Sequence, residues 1–270
     1  MPLKSEWIKY GDQIGYFAVP ERAALPLPGV VVIQEIGGVN DNIEDITRRI
    51  AAAGYAALAP DIWAVGGERP EALTKERVTA MFAFMSTLPP ASRFDPAQRA
   101  AALAELPEPR RSQIGETAGK VFSSMNQMPA YLGFLRKAVG YLRTECPETK
   151  GQKVGCVGFC MGGGLSALLA CEEPELSGAA VFYGSTPEPE RLAHPHCPVV
   201  AFYGGNDQRI NAGIPAFETA MHQAGQSYEY QVYTGANHSF FNDTGQAYDV
   251  NAARDAFARL LTFLAKNLTD

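Results

Sequence analysis

Short, wholly apolar runs alternate along this chain with longer stretches in which apolar residues recur every three or four positions. The short runs are Gly29-Val-Val-Val-Ile33, Tyr55-Ala-Ala-Leu-Ala59, a run at 153–158 that is apolar after Lys153, Gly178-Ala-Ala-Val-Phe-Tyr183 and Pro198-Val-Val-Ala-Phe-Tyr203, and a last strand, Tyr228 to Tyr233, interleaves Glu229 and Gln231. Each reads as a strand, the first of them fully apolar. Helical spacing predicts helices near 42–53, 127–144, 213–224 and 251–266, with Gly54 closing the first and Met128, Leu132, Leu135, Val139 and Leu142 forming the core stripe of the second. Before the first run, Trp7, Ile8 and Tyr10 and then Ile14, Tyr16 and Ala18 are split by Gly11-Asp12, which predicts an N-terminal hairpin on the sheet edge. Strands alternating with helices imply an α/β class: a mostly parallel sheet with helices on both faces and its chemistry at the carboxyl ends of the strands.

From Gly66 to about Asn126 the pattern changes to Pro-punctuated amphipathic pieces, with helical stretches near 71–86 and 95–105 and no strand-like run. This segment is expected to be a helical cap inserted at about 66–126 into a single domain spanning 1–270. It carries Arg69, Arg77, Arg93, Arg99, Arg110 and Arg111, nearly matched by acidic residues, so most should be solvated helix-face charges.

The net charge of −6 is spread without a basic block, which argues against nucleic acid and against an anionic membrane surface as partners. No window approaches eighteen uninterrupted apolar residues, and the first residues lack an apolar export segment. The five cysteines, Cys146, Cys156, Cys160, Cys171 and Cys197, show neither a C-x-x-C pair nor zinc spacing. A cytoplasmic protein without metal or organic cofactor is the expectation, with a small molecule as its partner; the oligomeric state is left open.

Candidate chemistry centres on Lys153-Val-Gly-Cys-Val-Gly-Phe-Cys160-Met-Gly-Gly-Gly164. A strand turning sharply into a helix needs glycine two residues before and two after the turn residue, where a Cβ would collide; Gly158 and Gly162 meet that need around Cys160. Such glycines also serve helix-sheet packing turns, but the stretch lacks a P-loop ending and the G-x-G-x-x-G spacing. Beyond two later strands come Asp207, in Gly204-Gly-Asn-Asp207, and His238, in Thr234-Gly-Ala-Asn-His238. Nucleophile, acid and histidine then follow in the order of α/β-hydrolases. His194, His196 and His222 are less well placed at strand ends. His238 would handle the thiol proton and Asp207 would orient it. Glu35, directly after the first parallel strand, lies on the same rim, and the backbone N–H groups of Ile36 and Met161 are candidates for an oxyanion hole. Trp63, Tyr183, Ser239 and Arg69 are candidate substrate contacts.

Gln34-Glu-Ile-Gly-Gly-Val-Asn40, Pro60-Asp-Ile, Gly158-Phe-Cys-Met-Gly-Gly163, Tyr203-Gly-Gly-Asn-Asp207 and Gly235-Ala-Asn-His-Ser-Phe240 together resemble the dienelactone hydrolase (carboxymethylenebutenolidase) family over nearly the whole chain. The resemblance implies an α/β-hydrolase fold and a cysteine nucleophile cleaving small enol lactones or activated esters through an acyl-thioester. It also implies that the resting Cys160 is a neutral thiol touching Glu35, which takes the thiol proton once an anionic substrate binds. Two positions depart from the family pattern. Val65 and Asn242 stand where members place arginines that hold a substrate carboxylate. Either an insertion arginine such as Arg69 substitutes, or the substrate is not dienelactone itself. A thioesterase or acyltransferase using the same acyl-enzyme, and a non-catalytic ligand-binding relative, are the competing functions.

Overall fold

The computed structural model describes residues 2–89, 92, 95–192 and 194–269. Eight strands form one sheet: β1 Leu3–Tyr10, β2 Gln13–Pro20, β3 Gly29–Ile33, β4 Ala56–Pro60, β5 Val154–Phe159, β6 Ala179–Phe182, β7 Val199–Gly204 and β8 Tyr228–Tyr233. Their order across the sheet is β1-β2-β4-β3-β5-β6-β7-β8. The β1–β2 hairpin adds antiparallel to β4, and every pairing from β4 to β8 is parallel. The chain runs outward from β3 to β4 and then returns to place β5 on the other side of β3. The switch point therefore lies at the carboxyl ends of β3 and β5, where open α/β sheets bind ligands.

The helices are α1 Asp41–Ala52, α2 Lys75–Thr87, α3 Pro96–Ala104, α4 Arg110–Ser124, α5 Met128–Thr144, α6 Met161–Glu172, α7 Gln208–Asn211, α8 Ile214–Gln223 and α9 Val250–Leu264. Period-two alternation divides the sheet's side chains between two cores. Val30, Val32, Val157 and Phe159 pack with α1 and α9, while Val31, Ile33, Cys156 and Val181 pack with α2, α4, α5, α6 and α8. Helix α1 begins where the Asn40 side chain accepts from the Ile43 N–H, a cap worth about 1 kcal/mol. Among the described residues no helix is long and apolar enough to cross a membrane.

The insertion between β4 and α5 differs from expectation in helix count. In place of one helix over 71–86 there is a tight turn, Glu71–Leu73, broken from α2 at Thr74, whose ψ is 155°. A further helix, α4, occupies 110–124, where the sequence pattern showed none. Its buried stripe is Ile114, Thr117, Val121 and Ser124, half polar, so helical spacing is present without a hydrophobic signal. The Arg77 guanidinium ties α2 to α4 through Thr117 Oγ1, Glu116 and the Gln113 carbonyl. Arg99 lies over the Phe122 ring, and Arg93 falls outside the described residues.

Candidate active site

Strand β5 runs into the core, reverses at Cys160 and continues at once as α6. Cys160 has φ 55° and ψ −115°, a conformation non-glycine residues rarely hold and one that costs on the order of 1–3 kcal/mol. Its backbone is pinned by an N–H bond to the Phe182 carbonyl at 3.0 Å. The glycine requirement is steric: a Cβ on Gly158 would sit 1.8 Å from the Gly162 oxygen, and one on Gly162 would sit 2.3 Å from the Ile33 oxygen. The turn thus presses the first turn of α6 against the end of β3. It also leaves Cys160 partly exposed at a helix N-terminus, where the aligned peptide dipoles favour negative charge.

Asp207 and His238 come from two loops that brace each other. Asn206 N–H donates to the Ala236 carbonyl at 3.0 Å, and its side-chain amide donates to the Gly235 carbonyl at 2.9 Å and Asn237 Oδ1 at 3.1 Å. Asn211 Nδ2 holds the Gly204 carbonyl from the other side at 2.9 Å. The result is a 2.5 Å contact between His238 Nδ1 and Asp207 Oδ2, which leaves Nε2 for the Cys160 sulfur, near enough to favour charge on the ring. Burial opposes charge on His238, but the bonds to Asp207 and Cys160 and their negative charge carry its pKa up to about 10. Burial likewise works against the Asp207 charge, yet the His238 bond and charge, the Ile210 N–H and Arg209 hold its carboxyl below the usual range. Asn206 and Asn237 were not singled out from sequence, although each directly precedes a candidate catalytic residue.

Glu35, at the end of β3, is buried and completely engaged. Its Oε1 accepts from the Tyr183 hydroxyl at 3.2 Å and the Ser239 hydroxyl at 3.5 Å, and its Oε2 accepts from Asn242 Nδ2 at 2.9 Å. Burial pushes its pKa up, against the opposing pull of Asn242, the His238 charge, Tyr183 and Ser239. Tyr183 (φ 41°) and Ser239 (φ 62°) share with Cys160 the left-handed backbone region, so all three non-glycine residues of this kind among those described line one site. The Tyr183 ring lies 5.0 Å from that of His238 and 5.4 Å from Phe240, filling the wall between the two loops.

Two expectations need correction. Glu35 is turned to Asn242, Tyr183 and Ser239, the thiol is not among its hydrogen-bond partners, and the sulfur instead acts on His238. Arg69 does not offer a free fork to a substrate: its Nε pairs with the buried Asp61, Nη1 reaches the Leu73 carbonyl at 3.5 Å and Nη2 the Val39 carbonyl at 3.0 Å. Its guanidinium lies 5.7 Å from the Trp63 ring, so it braces that residue from behind. Trp63 itself is buried, its backbone N–H bonded to Asp61 Oδ1 at 3.1 Å and its indole Nε1 buried without a hydrogen-bond partner among the described residues.

Met161 opens α6, so its N–H has no partner within the helix, and Ile36 follows Glu35 in the loop packed against the same first turn. The insertion reaches this point as well, with Ser124 Oγ 3.7 Å from Met161 Sδ. Cavities of about 240 Å³ between α2, α3 and α4 and about 290 Å³ beside Asp61 and Arg69 lie apart from Cys160, so the chemistry and not the cavity size marks the site. Among the described residues no group of three His, Cys, Asp or Glu side chains is placed to hold a metal ion.

Comparison with known proteins gives the family and the fold. The model of the "Dienelactone hydrolase family" matches residues 14–268. A carboxymethylenebutenolidase by name from Saccharolobus solfataricus is 34% identical over 252 residues, covering 93% of each chain, and one from Escherichia coli K12 is 26% identical, covering 93% of this chain and 82% of that one. The crystal structure of a dienelactone hydrolase by name from Klebsiella pneumoniae superposes with a TM-score of 0.72 at 23% identity, covering 98% of this chain and 100% of the other. That of a dienelactone hydrolase from Anabaena variabilis gives 0.60 at 20%, covering 99% and 98%. These structural likenesses carry the fold, and the family match carries the kinship. The chain belongs to the dienelactone hydrolase family, as a hydrolase acting on esters with the α/β-hydrolase fold.

Proposed function

We propose that this protein is a cysteine hydrolase of small lactones or activated carboxylic esters, with Cys160 as nucleophile, His238 as its proton partner and Asp207 as the group that orients His238. The observation that carries the reading is the Asp207–His238 pair, with the remaining ring nitrogen facing a thiol on a strained turn at a helix N-terminus. The Cys160 sulfur attacks the carbonyl carbon, and the backbone N–H groups of Met161 and Ile36 receive the oxyanion. The acyl C–O bond then breaks, and the departing oxygen takes the proton carried on His238 Nε2. Water, giving a proton to the same nitrogen, attacks the thioester; the carboxylic acid leaves and the thiol is restored.

Sulfur is itself a good leaving group, so a tetrahedral adduct with an alkyl ester returns to substrate more readily than it expels alkoxide. Enol lactones and aryl esters, whose oxygens leave easily, suit this site. The α2–α4 insertion acts as its cap, in one domain with the sheet. All five cysteines are free thiols, which accords with a reducing, cytoplasmic setting.

The test is p-nitrophenyl acetate turnover with intact-mass detection of one acetyl group on the protein. Cys160→Ala should lower turnover by at least about a thousandfold and abolish the adduct. Unchanged turnover in that variant would sink the assignment.

A further inference from the structure

We infer that Asn242 is a positioning residue that latches Glu35 away from the Cys160 thiol, so that the thiol is paired with His238 before any substrate arrives and needs no substrate carboxylate to release it. The inference rests on the cysteine-hydrolase reading above and concerns how that site is regulated and which substrates it admits.

The orientation of the Asn242 amide is determined by its other contacts. Its Oδ1 accepts from the Thr244 N–H at 3.1 Å and from the Thr244 hydroxyl at 2.7 Å. A carbonyl oxygen can serve there and an NH₂ cannot, so Nδ2 is the end presented to Glu35 Oε2. The loop that carries Asn242 is anchored on both sides: Phe240 and Phe241 are buried in the α1–α9 core, and Asp243 pairs with Arg49 of α1. With Tyr183 and Ser239 donating to Oε1, the carboxyl group receives three hydrogen bonds. Two of its partners sit on strained backbone, which the surrounding packing must hold in place.

The electrostatic consequence follows from Coulomb's law. A carboxylate directly against a thiol disfavours the thiolate, whereas the same charge turned aside leaves His238 as the group nearest the sulfur. The titratable groups that act on Glu35 are His238 and Tyr183, Cys160 acts on both of these, and Asp207 pairs with His238. Position 242 thus engages the glutamate instead of offering a cation to the substrate, and Arg69 is spent on Asp61, Val39 and Leu73. Uncharged lactones and esters are the substrate class that such a site accepts.

The test is the rate at which iodoacetamide alkylates the ligand-free protein as a function of pH, with the modified thiol identified by peptide mass. The expected wild-type result is modification of Cys160 at a rate that benzoate, a probe for a substrate carboxylate, does not raise. Asn242→Ala should slow alkylation near neutral pH about tenfold and move the rise of the profile to higher pH, the effect of about one pKa unit. Adding Glu35→Gln to Asn242→Ala should restore both rate and profile, because a neutral amide cannot oppose the thiolate. Should Asn242→Ala fail to fold, Thr244→Val, which removes one of the two donors orienting the amide, carries the same expectation in smaller degree, with the same rescue. Unchanged alkylation in the position-242 variant, no rescue by Glu35→Gln, or acceleration of the wild type by benzoate would each overturn the latch. Failure of the underlying reading looks different: modification at another cysteine, or ester turnover that survives Cys160→Ala.

Discussion

Cys156 and Cys160 lie four residues apart on one strand and its turn, yet they occupy opposite chemical regimes. Cys156 points into the core beneath α6, fully buried, with its sulfur 3.0 Å from Ser166 Oγ, which in turn donates to the Ala180 carbonyl at 2.9 Å. Burial pushes that thiol up to about 12, against weaker opposing bonds from Ser166 and Ala180, so it stays protonated and inert. Cys160 has left the strand, stands at a helix N-terminus and faces an imidazole. Residue type is identical in the two places, so any difference in reactivity is a property of backbone path. Whatever prevents the chain from reversing at residue 160 should turn the second thiol into a copy of the first.

The largest effect should therefore come from the glycines. Gly162→Ala puts a methyl 2.3 Å from the Ile33 carbonyl oxygen and 2.5 Å from that of Gln34, both rigid backbone. No side chain can move aside to relieve this. The variant should lose about 3 kcal/mol of stability in urea melts and nearly all ester turnover. Gly162→Ala at wild-type stability and activity would show that the turn does not separate the two thiols.

Next in size is the electrostatic half of the contrast. Asp207→Asn keeps the shape but withdraws the charge of the acceptor at 2.5 Å, and turnover should fall by about three to four orders of magnitude. His238 should titrate well below its wild-type value of about 10, a shift read by NMR of the ring nitrogens. Because the folded-state pKa lies above the ordinary 6.5, the pair contributes stability in full below about pH 6.5 and loses it as pH rises through about 10. In Asp207→Asn the stability profile across that window should flatten. An unaltered His238 titration would break the link between the carboxylate and the imidazole.

Where such features were legible in the sequence, local sterics made them so. Glycine at 158 and 162, apolar runs of strand length and a carboxylate and a histidine just past later strands all follow from short-range rules, and the sheet and the elbow formed as they imply. The helix over 110–124 was not legible, because Thr117 and Ser124 take half of its buried face and leave no apolar period to read. Asn242 was visible as a departure from a family pattern but not as the partner of a glutamate 207 positions earlier, a contact made only by the folded loops. Arg69 shows the reverse error: a lone cation beside a site in sequence proves to be a brace, since its three nitrogens meet Asp61, Val39 and Leu73. The bracing of Asp207 and His238 by Asn206 and Asn237 is of the same tertiary kind, although adjacency in sequence was a usable hint.

The smallest expected effect completes the contrast from the buried side. Cys156→Ala removes one sulfur from a packed interior and leaves Ser166 still bonded to the Ala180 carbonyl, so no polar group is orphaned. The cost should be that of a small cavity, about 1–2 kcal/mol, and turnover and the stoichiometry of iodoacetamide alkylation should not change. Cys156→Ser at the same position should cost more than Cys156→Ala, because it buries a second hydroxyl, and the one bond it can give to the Ser166 oxygen does not fully offset its desolvation. A loss of alkylation or of ester turnover in Cys156→Ala would mean that the buried sulfur supports the elbow and that the two thiols are not independent. Equal stability of the Ala and Ser variants would mean that the pocket under α6 is polar enough to solvate a second oxygen, and inertness at residue 156 would then rest on access rather than on burial of charge.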